Sequence, residues 1–306
     1  MIGLVRHIEY LLLHNDDVFI PGLGRFTVLC DEAKIQSGGT SFLPPVRKVA
    51  FESVATGDSG LLVRSVMRAG FISWNEAVEA IAEGNKLVED TLSVFECDLI
   101  LATPSWIVSH AHESLPKIQE VDEQEMSKVS QLVTPPDVLA VYRIPEYHLN
   151  IETLKKELVL ALDTVQDPGN LGTIVRLADW FGIRHIVCSP DTADLYNPKV
   201  VQATMGALAR VKVYYTSLPD FLSQVDSSVV YGTFLDGEDI YHTSLTKSGV
   251  IVMGNEGNGI SAKLEPYIGK RLYIPNYPVG QPTSESLNVA VAAAITCAEF
   301  RRRQIV

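Results

Sequence analysis

Three stretches in the second half of the chain put side chains that can bind or polarise a substrate directly after apolar runs. The first, 163–180, turns at Pro168-Gly169-Asn170 and then carries Gly172 and Arg176, so that the Asn170 amide and the Arg176 guanidinium stand six residues apart. Asn170 can cap a helix there, and Arg176 falls one to two turns inside it. The second is Met253-Gly254-Asn255-Glu256-Gly257-Asn258-Gly259-Ile260, with three glycines in six residues. Such a run permits positive φ and lets the backbone come close to a ligand. It is neither the GxGxxG of a dinucleotide site nor a phosphate-binding loop ending in GK[ST]. The third, 274–295, is a Pro-rich loop entering an Ala-rich helix whose early turns carry Ser286 and Asn288. Each stretch alone also has a plain structural reading: a capped helix with a solvated arginine, a tight turn, a packed helix with a polar cap.

Those side chains need rigid supports, and the pattern around them supplies a set. From residue 158 the sequence repeats strand, loop, helix: strands at 158–162, 185–188, 229–233, 250–253 and 272–275, helices at 172–181, 200–209 and 287–303. Continuous apolar strands alternating with helices imply a parallel sheet covered on both faces. In such sheets ligands bind beyond the carboxyl ends of the strands, where the three polar stretches fall. Ahead of this region, 99–102 and 138–142 read as strands, 127–132 as a helical turn and 145–150 as a linker. Further forward, Ile2, Val5, Ile8 and Leu12 keep helical spacing. Residues 18–29 read as two strands broken by Pro21-Gly22, followed by a loop with Gly38-Gly39 and Pro44-Pro45 and a strand at 48–51. Ser73 and Glu76 form a capping box for a helix carrying Trp74, Val78, Ile81, Val88 and Leu92.

The composition narrows the function classes. The chain has 306 residues, enough for two or three domains, with 46% hydrophobic and 20% charged residues. No apolar run approaches the ~18 residues of a membrane span, and the start reads as no signal peptide, so a cytoplasmic protein is expected. A formal net charge of −12 argues against a protein that coats nucleic acid, while leaving room for one local basic groove. Cys30, Cys97, Cys188 and Cys297 are far apart among apolar neighbours, as buried reduced thiols would be. No cluster has metal-ligand spacing.

Taken in order, N-x-G-x-x-x-R, G-N-E-G and I-P-…-S-L-N-V-A-V-A-A-A-I resemble the motifs of the SpoU (TrmH) family within the SPOUT class of methyltransferases. The resemblance covers about residues 158–303. It implies an α/β parallel-sheet domain whose C-terminal segment threads a trefoil knot, an exception to the rule that chains avoid knots. It also implies a site for S-adenosylmethionine built largely from backbone groups, at Gly254, Ile274 and Leu287. By the same resemblance Arg176 is catalytic, with Asn170, Glu256, Ser286 and Asn288 around it. The reaction would methylate a ribose 2′-hydroxyl of tRNA or rRNA, most often at guanosine, without a metal. The family's arginine is credited with helping to remove the hydroxyl proton. An arginine at its ordinary pKa, however, is deprotonated at pH 7 only at a cost of roughly 8 kcal/mol. A charged Arg176 that holds a phosphate and stabilises the developing alkoxide is the reading preferred here. A homodimer, with the cofactor site near the partner subunit, is implied as well.

The front half carries two further resemblances. Residues 83–147 are similar to the small α/β RNA-binding domain that precedes such methyltransferase domains, through Glu83-Gly84-Asn85-Lys86-Leu87-Val88 and 131–141. The family has a basic helix and a strand before Glu-Gly. Here 77–82 reads as helix, so the domain is expected to be truncated or completed differently. Residues 1–82 resemble the α+β HU-like fold, through 7–12, Ile20-Pro21-Gly22-Leu23-Gly24-Arg25-Phe26 and Phe42-Leu43-Pro44-Pro45. Arg25, Lys34, Arg47 and Lys48 are few for DNA binding, and an interaction module reads equally well. The expected organisation is therefore 1–82 HU-like, 83–147 RNA-binding and 148–306 methyltransferase. Two other functions compete: a nucleic-acid-binding or scaffold protein with an inactive methyltransferase domain, and a dinucleotide oxidoreductase, which the absence of GxGxxG opposes.

Overall fold

Apolar runs bounded by turn residues become strands, and the amphipathic stretches between them become helices. The computed structural model describes the strands between residues 17 and 52, and residues 79–110, 117–278 and 286–304. The chain divides into two compact units, 1–79 and 80–306.

In the first unit β1 (Asp17–Ile20) pairs antiparallel with β2 (Gly24–Cys30), and β2 with β5 (Arg47–Glu52). Between them β3 (Lys34–Ile35) pairs with β4 (Phe42–Leu43). The strands expected at 18–29 and 48–51 are present. The helix expected from Ile2, the loops at 38–39 and 44–45, and the Ser73/Glu76 capping box lie outside the described residues.

The second unit begins with a four-stranded sheet in the order β6-β9-β7-β8. Its elements run β6 (Glu79–Glu83), α1 (Asn85–Leu92), β7 (Cys97–Ala102), α2 (Pro104–Ser109), β8 (Ile118–Glu120), α3 (Glu123–Val129) and β9 (Val138–Arg143). Residues 79–83, expected as helix, are a strand beside β9. Pairing with β9 overrides the local helix preference of Glu79-Ala80-Ile81-Ala82-Glu83, and Gly84, at φ 106°, separates the strand from the helix that follows. The strand that the resemblance requires before Glu83-Gly84 is thus present. The helical turn expected at 127–132 starts earlier, because Asp122 and Glu125 form a reciprocal capping box at the head of α3.

The larger sheet has six strands in the order β12-β11-β10-β14-β13-β15. After α4 (Ile151–Leu154) come β10 (Leu158–Leu162), α5 (Pro168–Trp180), β11 (His185–Cys188), α6 (Pro198–Thr204), β12 (Lys212–Tyr215), α7 (Leu218–Leu222), β13 (Val230–Asp239), β14 (Gly249–Met253), β15 (Lys270–Tyr273) and α8 (Val289–Arg302). Every neighbouring pair is parallel. All five residues of β10 and of β14 are buried, so both faces of the sheet centre are covered.

Three helices differ from expectation in instructive ways. α5 starts at Pro168, not 172, because Asp167 rather than Asn170 is the N-cap: its Oδ1 accepts the Asn170 N–H at 2.7 Å. The helix expected over 200–209 breaks after Thr204, where Met205 (φ 51°) and Gly206 (φ 85°) both turn left-handed. α8 starts at Val289, so Ser286 and Leu287 precede it and Asn288 is its N-cap. β12 and α7 have no counterpart in the sequence reading. Gly172 on α5 is required by packing: a Cβ there would collide with Ala203 and the Val200 carbonyl on α6.

Candidate active site

The site forms where β10 and β14, the two central strands, end side by side. The Asp163 N–H donates to the Met253 carbonyl at 2.9 Å and extends the pairing by one step. The buried Asp163 carboxylate then accepts the Ser261 N–H at 2.7 Å, and Asn255 Nδ2 donates to the Thr164 carbonyl at 2.8 Å. The first and second polar stretches are therefore sewn together by main-chain and Asx-type bonds. Asn255 also closes its own loop. It exchanges two 2.9 Å backbone bonds with Gly259, while its Oδ1 accepts the N–H groups of Gly257 and Asn258. The sequence reading gave Asn255 no role. Its signal was available: an Asn followed by two glycines within four residues favours such a side-chain turn.

A chain of side-chain amides links all three stretches. Asn288 Oδ1 accepts the N–H groups of Ala290 (2.9 Å) and Val291 (3.3 Å), which caps α8. Its Nδ2 must then donate outward, and it does so to Asn170 Oδ1 at 2.9 Å. That leaves Asn170 Nδ2 to donate to Glu256 Oε1, at 2.7 Å. The direction of each amide follows from its neighbour. Glu256 is thereby held by one oxygen, and its Oε2 accepts nothing from a described residue.

Beside this relay lies a cleft of about 610 Å3, within the size range of small-molecule sites. Glu256, Ser286, Gly254, Ile274 and Leu287 all line it. The wall from 254 to 259 is mostly backbone, and a Cβ at Gly254 would collide with the Gly259 and Ile260 main chain. Ile260, Leu272, Val289 and Ala292 supply apolar surface. A flat heteroaromatic ring fits such apolar walls, and main-chain groups can read its edges. The carboxylates of Glu256 and Glu265 suit a cationic centre. These residues fit S-adenosylmethionine. Arg271, also unassigned from sequence, stacks on Phe234 with its guanidinium carbon 3.5 Å from the ring centroid. It pairs with Asp236 (2.6 Å) and Glu265 (2.9 Å), and Asp236 is held below the usual carboxylate range by that contact.

Arg176 stands apart from this group. It lies on the outer stripe of α5 with Gly169, Thr173 and Trp180, is exposed, and its guanidinium makes no hydrogen bond or ion pair with a described residue. The described cysteines are poor nucleophiles. Burial raises Cys97, pushes Cys188 well above its usual range and takes Cys297 up to about 12. The side chain of Cys30 lies outside the described residues. No helix among the described residues is long and apolar enough to cross a membrane.

The second unit thus carries an all-parallel α/β sheet with a glycine-rich loop and a capped terminal helix at its carboxyl edge, as the SPOUT resemblance of the three stretches implies. Residues 157–298 match the SpoU rRNA Methylase family, and residues 1–56 match the CCDC81-like prokaryotic HU domain 1. Over 226 residues the chain is 34% identical to the 23S rRNA (guanosine(2553)-2'-O)-methyltransferase RlmP of Bacillus subtilis, covering 72% of this chain and 88% of that one. A TrmH-family structure from Porphyromonas gingivalis superposes with a TM-score of 0.66 at 38% identity, over 74% of this chain and 90% of its own. An AdoMet-bound rRNA methyltransferase from Sinorhizobium meliloti gives 0.66 at 28% identity, over 79% and 93%. The chain belongs to the SpoU methylase family.

Proposed function

We propose that this protein transfers a methyl group from S-adenosylmethionine to the ribose 2′-hydroxyl of a guanosine in ribosomal RNA. The observation that carries the reading is the Asn288–Asn170–Glu256 relay beside a backbone-walled cleft. Support for the substrate comes from the B. subtilis relative, which is named for a guanosine of 23S rRNA.

When bound, S-adenosylmethionine supplies an electrophilic methyl group on a sulfonium sulfur. The chain's residues position and activate the acceptor. Glu256 is oriented by Asn170 and offers Oε2 to the ribose hydroxyl proton as the new O–CH3 bond forms and the S–CH3 bond breaks. A positioned general base contributes ~10²–10⁴-fold. Arg176, charged, holds a flanking phosphate and the negative charge developing on the oxygen. Gly254, Ile274 and Leu287 hold the cofactor, and Ser286 stands at the mouth of the cleft. The 80–143 sheet is proposed as the domain that helps to select the RNA.

The proposal includes a homodimer. Trp180 is 85% exposed, and Val291 on the neighbouring helix and Leu287 just before that helix are each nearly half exposed. Together with Arg176 they occupy the outer surface of the α5–α8 pair, and a second copy would cover that apolar area. Arg176 would then lie in the seam, close to a cleft it does not line within its own chain.

Incubation with radiolabelled S-adenosylmethionine and separate rRNA and tRNA pools tests the function, with light scattering for subunit count. Label in 2′-O-methylguanosine of rRNA is expected from a dimer. Arg176→Ala should lose at least ~10²-fold in rate while still binding cofactor. Label confined to tRNA would move the substrate class. Cofactor binding without transfer to either pool would favour a binding-only protein. Near-normal turnover by Arg176→Lys would remove the role given to the fork geometry of the guanidinium.

A further inference from the structure

The charge of the second unit is unevenly distributed. Residues 80–150, which include the small sheet, carry twelve acidic side chains against four basic ones. Residues 151–306 carry sixteen against fourteen. Phosphate binding draws on lysine and arginine, so the small domain has few cations to offer an RNA backbone, whatever it contributes to selecting the RNA. Residues 151–306 hold most of the cations available for further phosphate contacts.

One cleft outside the methyl-transfer site gathers several of them. It opens at the amino ends of β11 and β12, the opposite end of the sheet from the relay. Its volume is about 570 Å3, and Arg184, Arg210, Lys212, Glu157, Asp179 and His185 line it. Its charges divide into committed and uncommitted groups. Arg210 is bound to Asp179 by three hydrogen bonds of 2.8–3.0 Å, which neutralises both. Glu157 Oε2 lies 3.5 Å from Nε2 of His185; burial lowers the pKa of that imidazole, so Glu157 keeps its negative charge and the remaining cations outnumber it by two to one. Arg184 and Lys212 are exposed and ion-pair with no described residue, although Lys212 sits 5.4 Å from the ring centre of Tyr147.

The cleft also lacks the usual obstacle to an anion at a helix C-terminus. The last carbonyls of a helix carry partial negative charge. Here the carbonyls of Phe181 and Gly182, at the end of α5, accept from Nε and Nη2 of Arg301 at 2.7 and 3.1 Å. A guanidinium thus covers that helix end, and two free cations stand beside it.

We infer that the cleft holding Arg184 and Lys212 is a second RNA contact, which grips the phosphodiester backbone of the substrate away from the methylated ribose. The inference rests on the RNA-methylating function proposed above and adds where the strand goes. α5 runs from the relay to this cleft. Its 13 residues span ~20 Å, the length of about six phosphates of one strand at duplex spacing. A substrate several nucleotides longer than its target matches that separation, its path running beside the outer α5–α8 surface that the second copy would cover. The occupant is recognised by charge and not by base, because the cleft offers cations and no exposed aromatic platform among its lining residues.

The test uses the full chain and a ribosomal RNA fragment, with filter binding at several salt concentrations and cofactor titration in parallel. Arg184→Glu combined with Lys212→Glu should weaken RNA binding at least tenfold and flatten the log–log salt dependence by about two units. Cofactor affinity and thermal midpoint should match the unaltered protein. Arg184→Gln with Lys212→Gln gives a milder pair and shows an intermediate loss. Unchanged RNA affinity and salt slope in both pairs overturn the inference, whatever the methylation assay shows. RNA binding that responds to these pairs, in a protein that methylates no RNA, would sink the proposed reaction and leave the contact standing.

Discussion

The tripeptide Glu-Gly-Asn occurs twice in the second unit, at 83–85 and at 256–258, and its glutamate meets opposite fates. Glu83 ends an edge strand of the small sheet and is 7% exposed. Ser130 Oγ donates to its Oε2 at 2.5 Å, and the Gln131 N–H donates to both oxygens at 3.0 and 3.1 Å. Both oxygens are engaged, and the carboxylate pins the 130–132 turn. Glu256 follows a central strand of the large sheet and is only half-buried; Asn170 engages one oxygen and leaves the other open to the cleft. Identical local sequence produces a fully engaged clamp in one place and, in the other, a half-engaged carboxylate that the proposed mechanism uses as a base. The difference is the number of donors that tertiary structure brings to the carboxylate.

That contrast can be broken by experiment. The largest effect is expected at the open glutamate. Glu256→Gln should lower the single-turnover methyl-transfer rate by ~10²-fold or more while barely moving the thermal midpoint, since only one hydrogen bond is altered. The mirror change, Glu83→Ala, should leave the rate per folded molecule near normal and cost about 2–3 kcal/mol of stability, from the buried donors it orphans. Paired rate and melting measurements on the two variants decide the matter. If Glu83→Ala proved the slower enzyme, or Glu256→Gln the less stable protein, the division into clamp and reactive group would be wrong.

A finer test concerns what orients Glu256. Asn288→Asp keeps an oxygen to cap α8 but removes the N–H that fixes the Asn170 amide. Asn170 can then turn its oxygen toward Glu256. We expect a several-fold loss of rate with an unchanged melting temperature. Asn288→Ala should add about 1 kcal/mol of destabilisation through the lost cap. Equal rates for Asn288→Asp and the unaltered protein would show that the relay does not act on Glu256.

Much of the architecture was legible in one dimension. β10 and β11 lie at the residues expected, 158–162 and 185–188, because a short, mostly apolar run between turn signals has one good use in a covered parallel sheet. The short strand at 79–83 was not legible. Five residues of alternating Ala and Glu around Ile81 favour helix locally, and pairing with β9 overrides that preference. The same limit applied at α5. Asp167-Pro168 and Asn170 are both plausible caps by type, and the choice of Asp167 is what frees the Asn170 side chain for Glu256 and Asn288.

By itself the sequence determined most of the strands and helices from residue 158 onward, the three polar stretches at their ends, and the family to which those stretches belong. All of these depend on residues close together in the chain. Tertiary structure alone decided that Asn288 and Asn170, 118 residues apart, share a hydrogen bond. It also decided that Arg176 does not line its own chain's cleft, and that Arg210 pairs with Asp179 while Arg184 and Lys212 form no ion pair with a described residue. Local sequence sets which groups are available and in what rotameric range. Which donor reaches which acceptor depends on packing between segments far apart in sequence, and on how much water the packing leaves around each charge.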